Sequence, residues 1–213
     1  MVELVLSRSR GVKQLTLSGL GMDAFYLYTL VPILGEHGDR SGTLLVEDVQ
    51  GIHYGQLDAI LRAGLPKLPQ LILKAPPYAH LSTMVISAHA LKHLRSLTAE
   101  GTSIRIEGTV LGLEHLALVN FGGDQKKQRR PSIFRELLFA CPEVQHLVLH
   151  ESIPDFAPVA SGDRTRMLIP LPHDLRSLQV RDSAPDVLSF LSHAVISPTT
   201  FLSLSLDYAL VLP

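Results

Sequence analysis

Apolar side chains recur along this chain in one phrase: an aliphatic residue, two variable positions, a leucine, one variable position and a second aliphatic residue. The copies are Val12–Leu15–Leu17, Leu68–Leu71–Leu73, Leu94–Leu97–Ala99, Leu113–Leu116–Leu118, Val144–Leu147–Leu149, Leu175–Leu178–Val180 and Phe201–Leu204–Leu206, with a weaker copy at Ser41, Leu44 and Val46. Alternation within each copy predicts a short strand whose fourth and sixth positions face a core and whose third, fifth and seventh positions face outward. Between the strands, helix-like apolar spacing covers residues 23–34, 56–63, 132–140 and 184–194, as in Ile133, Leu137, Leu138 and Cys141. Pro131 suits a first helical turn, and Pro142 and Pro32 suit helix ends.

Taking the central leucine of each copy as a marker, the steps are 29, 27, 26, 19, 31, 31 and 26 residues. Most lie at or near the leucine-rich repeat period of roughly 20–29 residues, the two longest needing insertions. The shortest step leaves no room for a full helix, so residues 101–112 are expected to return in an extended conformation. No linker interrupts the pattern. The expected fold is therefore an α/β leucine-rich repeat solenoid, a horseshoe with a parallel concave sheet and a convex side of mixed helix and loop. It makes residues 1–213 one domain of about eight repeats, with truncation at both ends left open.

Composition supports this and removes other classes. Hydrophobic residues make up 46% of the chain and charged residues 18%, below the usual quarter, so there is ample material to bury. A net charge of −1 gives no global attraction to nucleic acid or to an anionic membrane, and neither is expected as a partner. The single cysteine, Cys141, cannot form an internal disulfide. No apolar run approaches the ~20 residues of a membrane span, and the first ten residues do not make a signal peptide. Cytoplasm or nucleus is the expected location.

Stacking the strands in order turns their outward positions into columns. The fifth positions are Thr16, Leu45, Ile72, Thr98, Ala117, Val148, Gln179 and Ser205, apolar in the middle and polar at the ends. The seventh positions are Ser18, Glu47, Lys74, Glu100, Val119, His150, Arg181 and Asp207; the third are Gln14, Thr43, Gln70, Ser96, His115, His146, Ser177 and Ser203. An apolar strip bordered by charges suits a protein-binding groove, with Leu45, Ile72, Lys74, Glu100, His115, His146, Val148, His150 and Arg181 as the contact residues. The competing reading is that a loop covers Leu45 and Ile72, or that a one-residue slip inverts the faces.

Candidate chemistry is thin. His115 and His146 occupy equivalent positions on neighbouring strands, about 4.8 Å apart, and could share a metal. Their flanking third positions are Ser96 and Ser177, and His150 lies about 13 Å along the strand, so the ligand set is incomplete. The basic run Lys126, Lys127, Arg129 and Arg130 reads as a solvated loop, an import signal or a phosphate contact, with no aromatic interleaving to favour nucleic acid. Cys141 before Pro142 on an apolar stripe reads as a buried structural thiol. Hydrolase, zinc-protease and nucleotide-binding motifs are missing, and His173–Asp174 stands alone. No enzyme activity, cofactor or metal is expected.

Longer phrases carry a resemblance. Residues 2–9 followed by Leu15–Thr16–Leu17–Ser18, the stretch from Leu137 through Cys141–Pro142–Glu143 to Leu147, Leu171–Pro172–His173–Asp174–Leu175, and Asp186–Val187–Leu188 resemble the repeat region of fungal F-box proteins with leucine-rich repeats. The resemblance spans nearly the whole chain. It implies a ubiquitin-ligase receptor whose repeats hold a substrate protein, while the helical F-box module that recruits the adaptor is not found in this sequence. The adaptor is a partner only if an F-box lies upstream. The alternatives are a decayed, non-functional fragment of such a protein and, with least support, a metal-binding or hydrolytic enzyme.

Overall fold

The computed structural model describes residues 3–9, 12–18, 41–47, 61, 68–75, 83–120, 131–156 and 168–207. In chain order these form β1 (Glu3–Ser9), β2 (Val12–Ser18), β3 (Ser41–Val46), β4 (Gln70–Lys74), β5 (Met84–Ser87), β6 (Ser96–Glu100), β7 (Ile104–Glu107), β8 (His115–Val119), α1 (Pro131–Ala140), β9 (His146–His150), β10 (Ile169–Pro170), β11 (Ser177–Ser183), α2 (Ala184–His193), β12 (Ala194–Val195) and β13 (Phe201–Asp207). Nine of the strands make one sheet in the order β1-β2-β3-β4-β6-β8-β9-β11-β13. The β1–β2 pair is antiparallel, and every pairing from β2 to β13 is parallel. This is an α/β fold built on a parallel sheet with few helices.

Parallel neighbours oblige the chain to return between strands, and the described returns are α1, α2 and two small parallel pairs, β5–β7 and β10–β12. Register follows the leucines. Leu15, Leu44, Leu71, Leu97, Leu116, Leu147 and Leu178 are successive partners across the sheet, and so are Leu17, Val46, Leu73, Ala99, Leu118, Leu149 and Val180. From Leu44 to Val180 all of these are buried. The returns close over them: Met84, Ile86, Ile104 and Ile106 from β5 and β7, Phe134, Leu137 and Leu138 from α1, and Val187 and Phe190 from α2 are buried in the same cluster. Phe134 and Phe190 meet edge to face, with centroids 6.2 Å apart at 84°.

Backbone hydrogen bonds repeat with the leucines. The carbonyl of Pro69 accepts from Arg95 and Ser96, Arg95 from Glu114 and His115, Glu114 from Gln145 and His146, and Gln145 from Arg176 and Ser177, at 2.8–3.0 Å. One carbonyl per repeat thus fixes the entry of the next strand. At the strand exits, Ala75, Gly101, Asn120 and Glu151 donate to Glu100, Val119, His150 and Arg181. Three of these exit residues are left-handed, with φ of 66° at Gly101 and 49° at both Asn120 and Glu151.

The expected elements are met unevenly. The helix expected over 132–140 is Pro131–Ala140, and its buried residues are Phe134, Leu137, Leu138 and Ala140, followed by buried Cys141, with Ile133 half-buried, so the stripe is turned by one residue at its start. The extended return over 101–112 contains β7. The helix expected over 184–194 is α2, capped by Ser183, whose hydroxyl accepts from the Asp186 N–H. The helix expected over 23–34 lies outside the described residues, as does that over 56–63 apart from Leu61, which is helical and buried. Among the described residues no helix is long and apolar enough to cross a membrane.

One alignment is corrected. Leu202, not Leu204, partners Leu178, and Leu204 partners Val180. In Leu202–Ser203–Leu204–Ser205–Leu206 a slip of two residues leaves every leucine on the same face, so alternation cannot choose between the registers. Hydrogen bonds from the Phe201 N–H to the Arg176 carbonyl (2.8 Å) and from the Thr200 hydroxyl to the Leu175 carbonyl (2.8 Å) choose it.

Candidate protein-binding face

The outward positions of the main sheet share one face because each is the register partner of the next. In the third column the Thr43 hydroxyl donates to Gln70 Oε1 at 2.8 Å. His115 and His146 stack at a centroid distance of 4.5 Å and 11°, and His146 Nδ1 lies 2.8 Å from Ser177 Oγ. The corrected register puts Phe201 next in this column, opposite Ser177 and 68% exposed. The fifth column runs through Leu45, Ile72, Thr98, Ala117 and Val148, all half-buried, to exposed Gln179 and Ser203. In the seventh column Lys74 Nζ lies 3.8 Å from Glu100 Oε2 across β4–β6, and Arg181 Nε lies 3.1 Å from Oδ1 of Asp207, which stands one column along on β13.

All nine anticipated contact residues, Leu45, Ile72, Lys74, Glu100, His115, His146, Val148, His150 and Arg181, therefore stand on one face. They do not all converge. A shallow cavity of about 230 Å³ draws together Val148, His150 and Arg181 with Gln179, Ser203 and Ser205. Ile72 on β4 is three strand spacings from Val148, about 14 Å, and Leu45 is one strand farther. Ser205 falls opposite Arg181 and Asp207 opposite Ser183, each one column beyond its expected place.

Electrostatics on this face are local. Burial lowers the pKa of His146 below the ordinary imidazole value; neighbouring His115 and Arg176 lower it further, and Glu114 opposes them. The stacked geometry also argues against a metal shared by His115 and His146, because imidazole lone pairs lie in the ring planes and two parallel rings cannot aim them at one point. Cys141 is fully buried, and burial pushes its thiol up to about 12, so little thiolate exists at neutral pH. His173 and Asp174 form an exposed pair at 3.1 Å. The basic run Lys126, Lys127, Arg129 and Arg130 lies outside the described residues.

Compared with protein-family models, curated proteins and solved structures, the chain matches none. Its own geometry is then the guide to function. Sequence reasoning missed two features of this end of the face. Phe201 opens its repeat phrase, a position the alternation leaves undecided, and only the register places it in the third column as an exposed aromatic. Glu151 follows His150 in left-handed backbone, at the position where two earlier repeats have Gly101 and Asn120. Its signal was visible, since glutamate is a poor occupant of that conformation and glycine and asparagine are good ones.

Proposed function

We propose that this chain is a leucine-rich repeat solenoid whose concave face binds a protein, as the substrate-recognition part of an F-box type ubiquitin-ligase receptor. It acts without catalysis, in the cytoplasm or nucleus. The observation that carries the reading is the registered column Leu45, Ile72, Thr98, Ala117 and Val148, half-buried and apolar apart from Thr98, bordered by charged positions and ending at the cavity lined by Val148, His150 and Arg181, with exposed Phe201 two residues before Ser203 of that lining. Such a surface offers an apolar centre and a polar rim, the anatomy of a protein interface. Aromatic and arginine side chains commonly dominate interface energetics, which singles out Phe201 and Arg181.

The test is quantitative affinity capture with the full chain and three variants. Ile72→Asp combined with Val148→Asp should remove a specific partner, and Phe201→Ala should weaken it by tenfold or more. Leu188→Asp, at a 69% exposed position on α2, should retain it. An identical partner list for the double variant and the parent would contradict the proposal.

A further inference from the structure

We infer that His150, Glu151 and Asp207 form a divalent-cation site at the exit edge of the main sheet, with the donor set of a zinc-class ion. One ligand atom from each of the three lies within 4.8 Å of the other two. The three residues come from two strands: His150 ends β9, Glu151 follows it, and Asp207 ends β13, with β11 between. The backbone of two strands of one sheet, next-but-one neighbours, sets the spacing rather than a single loop.

An unsatisfied nitrogen points to a ligand. His150 Nε2 meets no solvent and no hydrogen-bond partner among the described residues, although its side chain as a whole is 32% exposed. A buried nitrogen without a partner is costly. The nearest carboxylate oxygen, Glu151 Oε1, is 3.9 Å away, too far for a hydrogen bond. Ligand atoms bound at about 2.0–2.2 Å to a tetrahedral zinc stand roughly 3.4 Å from one another, so a modest contraction would seat a cation among these three. Glu151 leaves the strand with φ of 49°, the left-handed exit it shares with Gly101 and Asn120. That conformation starts the side chain from a strand exit beside His150.

The donors suit the ion. One imidazole and two carboxylates supply the nitrogen and oxygen ligands that zinc takes, and three protein ligands leave a fourth position for water or for a donor from a bound protein. Arg181 Nε holds Asp207 Oδ1 at 3.1 Å, an outer contact that orients the carboxylate and partly offsets its charge. Equivalent positions in the neighbouring repeats, Glu100–Gly101, Val119–Asn120 and Arg181–Asp182, do not pair an imidazole with a carboxylate.

The probe is zinc itself, titrated calorimetrically into the metal-stripped full chain near pH 7.5 with no partner present. One ion per chain is expected, bound at least tenfold more weakly after His150→Ala and after Asp207→Asn. Glu151→Gln provides a third variant should one of these fail to fold, with the thermal midpoint in chelator as the fold control. Absence of stoichiometric binding, affinity unchanged in folded variants, or affinity lost on His115→Ala and His146→Ala instead would overturn the site. Because no partner enters the measurement, its failure leaves the protein-binding reading standing, and the converse also holds.

Discussion

His146 shows how an outward-facing position acquires a physical constraint. Stacked on His115, bonded to Ser177 and partly desolvated, its imidazole resists protonation, so its pKa lies below the ordinary value near 6.5. In the interval between the lowered native value and the ordinary one, the unfolded chain binds more protons than the native chain, and stability rises with pH there. Acidification from pH 7 towards 5 should therefore lower the thermal midpoint, and His146→Gln should flatten that slope while leaving the midpoint at pH 8 nearly unchanged. An equal slope in the variant would assign the acid sensitivity to other groups. The pairing of His115 with His146 was legible from repeat spacing. The ring stack was not, because rotamers are set by neighbours such as Ser177 rather than by spacing.

Among the elements, the interior strands and the last strand differ in what their identical leucines do. Leu147 on β9 is fully buried between Leu116 and Leu178, with α1 among the returns over the core. Leu204 on β13 has the same alternation but is 44% exposed, with Leu202 at 38% and Leu206 at 36%. Leu147→Ala should cost about 2–5 kcal/mol in denaturant unfolding, as for other buried leucines. Leu204→Ala should cost less than half as much, since much of its side chain already meets water, and equal losses would contradict this placement. The interior strands could be read from sequence because a registered pattern permits only one face to be buried. β13 could not, because three leucines at a spacing of two fit either register. β1 went unread as a strand because its antiparallel partnership with β2 lies outside the repeat. The small β5–β7 and β10–β12 pairs went unread because segments of four and two residues carry too little periodicity.

For the molecule as a whole, the parallel sheet separates two tasks by face. Inward leucines carry the stability, and under the proposed function the outward columns between them carry specificity, so a change such as Val148→Asp is expected to alter recognition at little cost to the core. Cys141 makes that separation measurable: its thiol is buried and held at about 12, leaving an engineered surface cysteine as the reactive one among the described residues. The direct measurement is maleimide labelling of Val148→Cys in the free chain and after partner capture, with Leu149→Cys as the inward control. Rapid labelling at 148, at least tenfold slower labelling at 149, and protection of 148 by the captured partner are expected. Slow labelling at 148 in the free chain, or labelling that the partner leaves unchanged, would contradict an open protein-binding face.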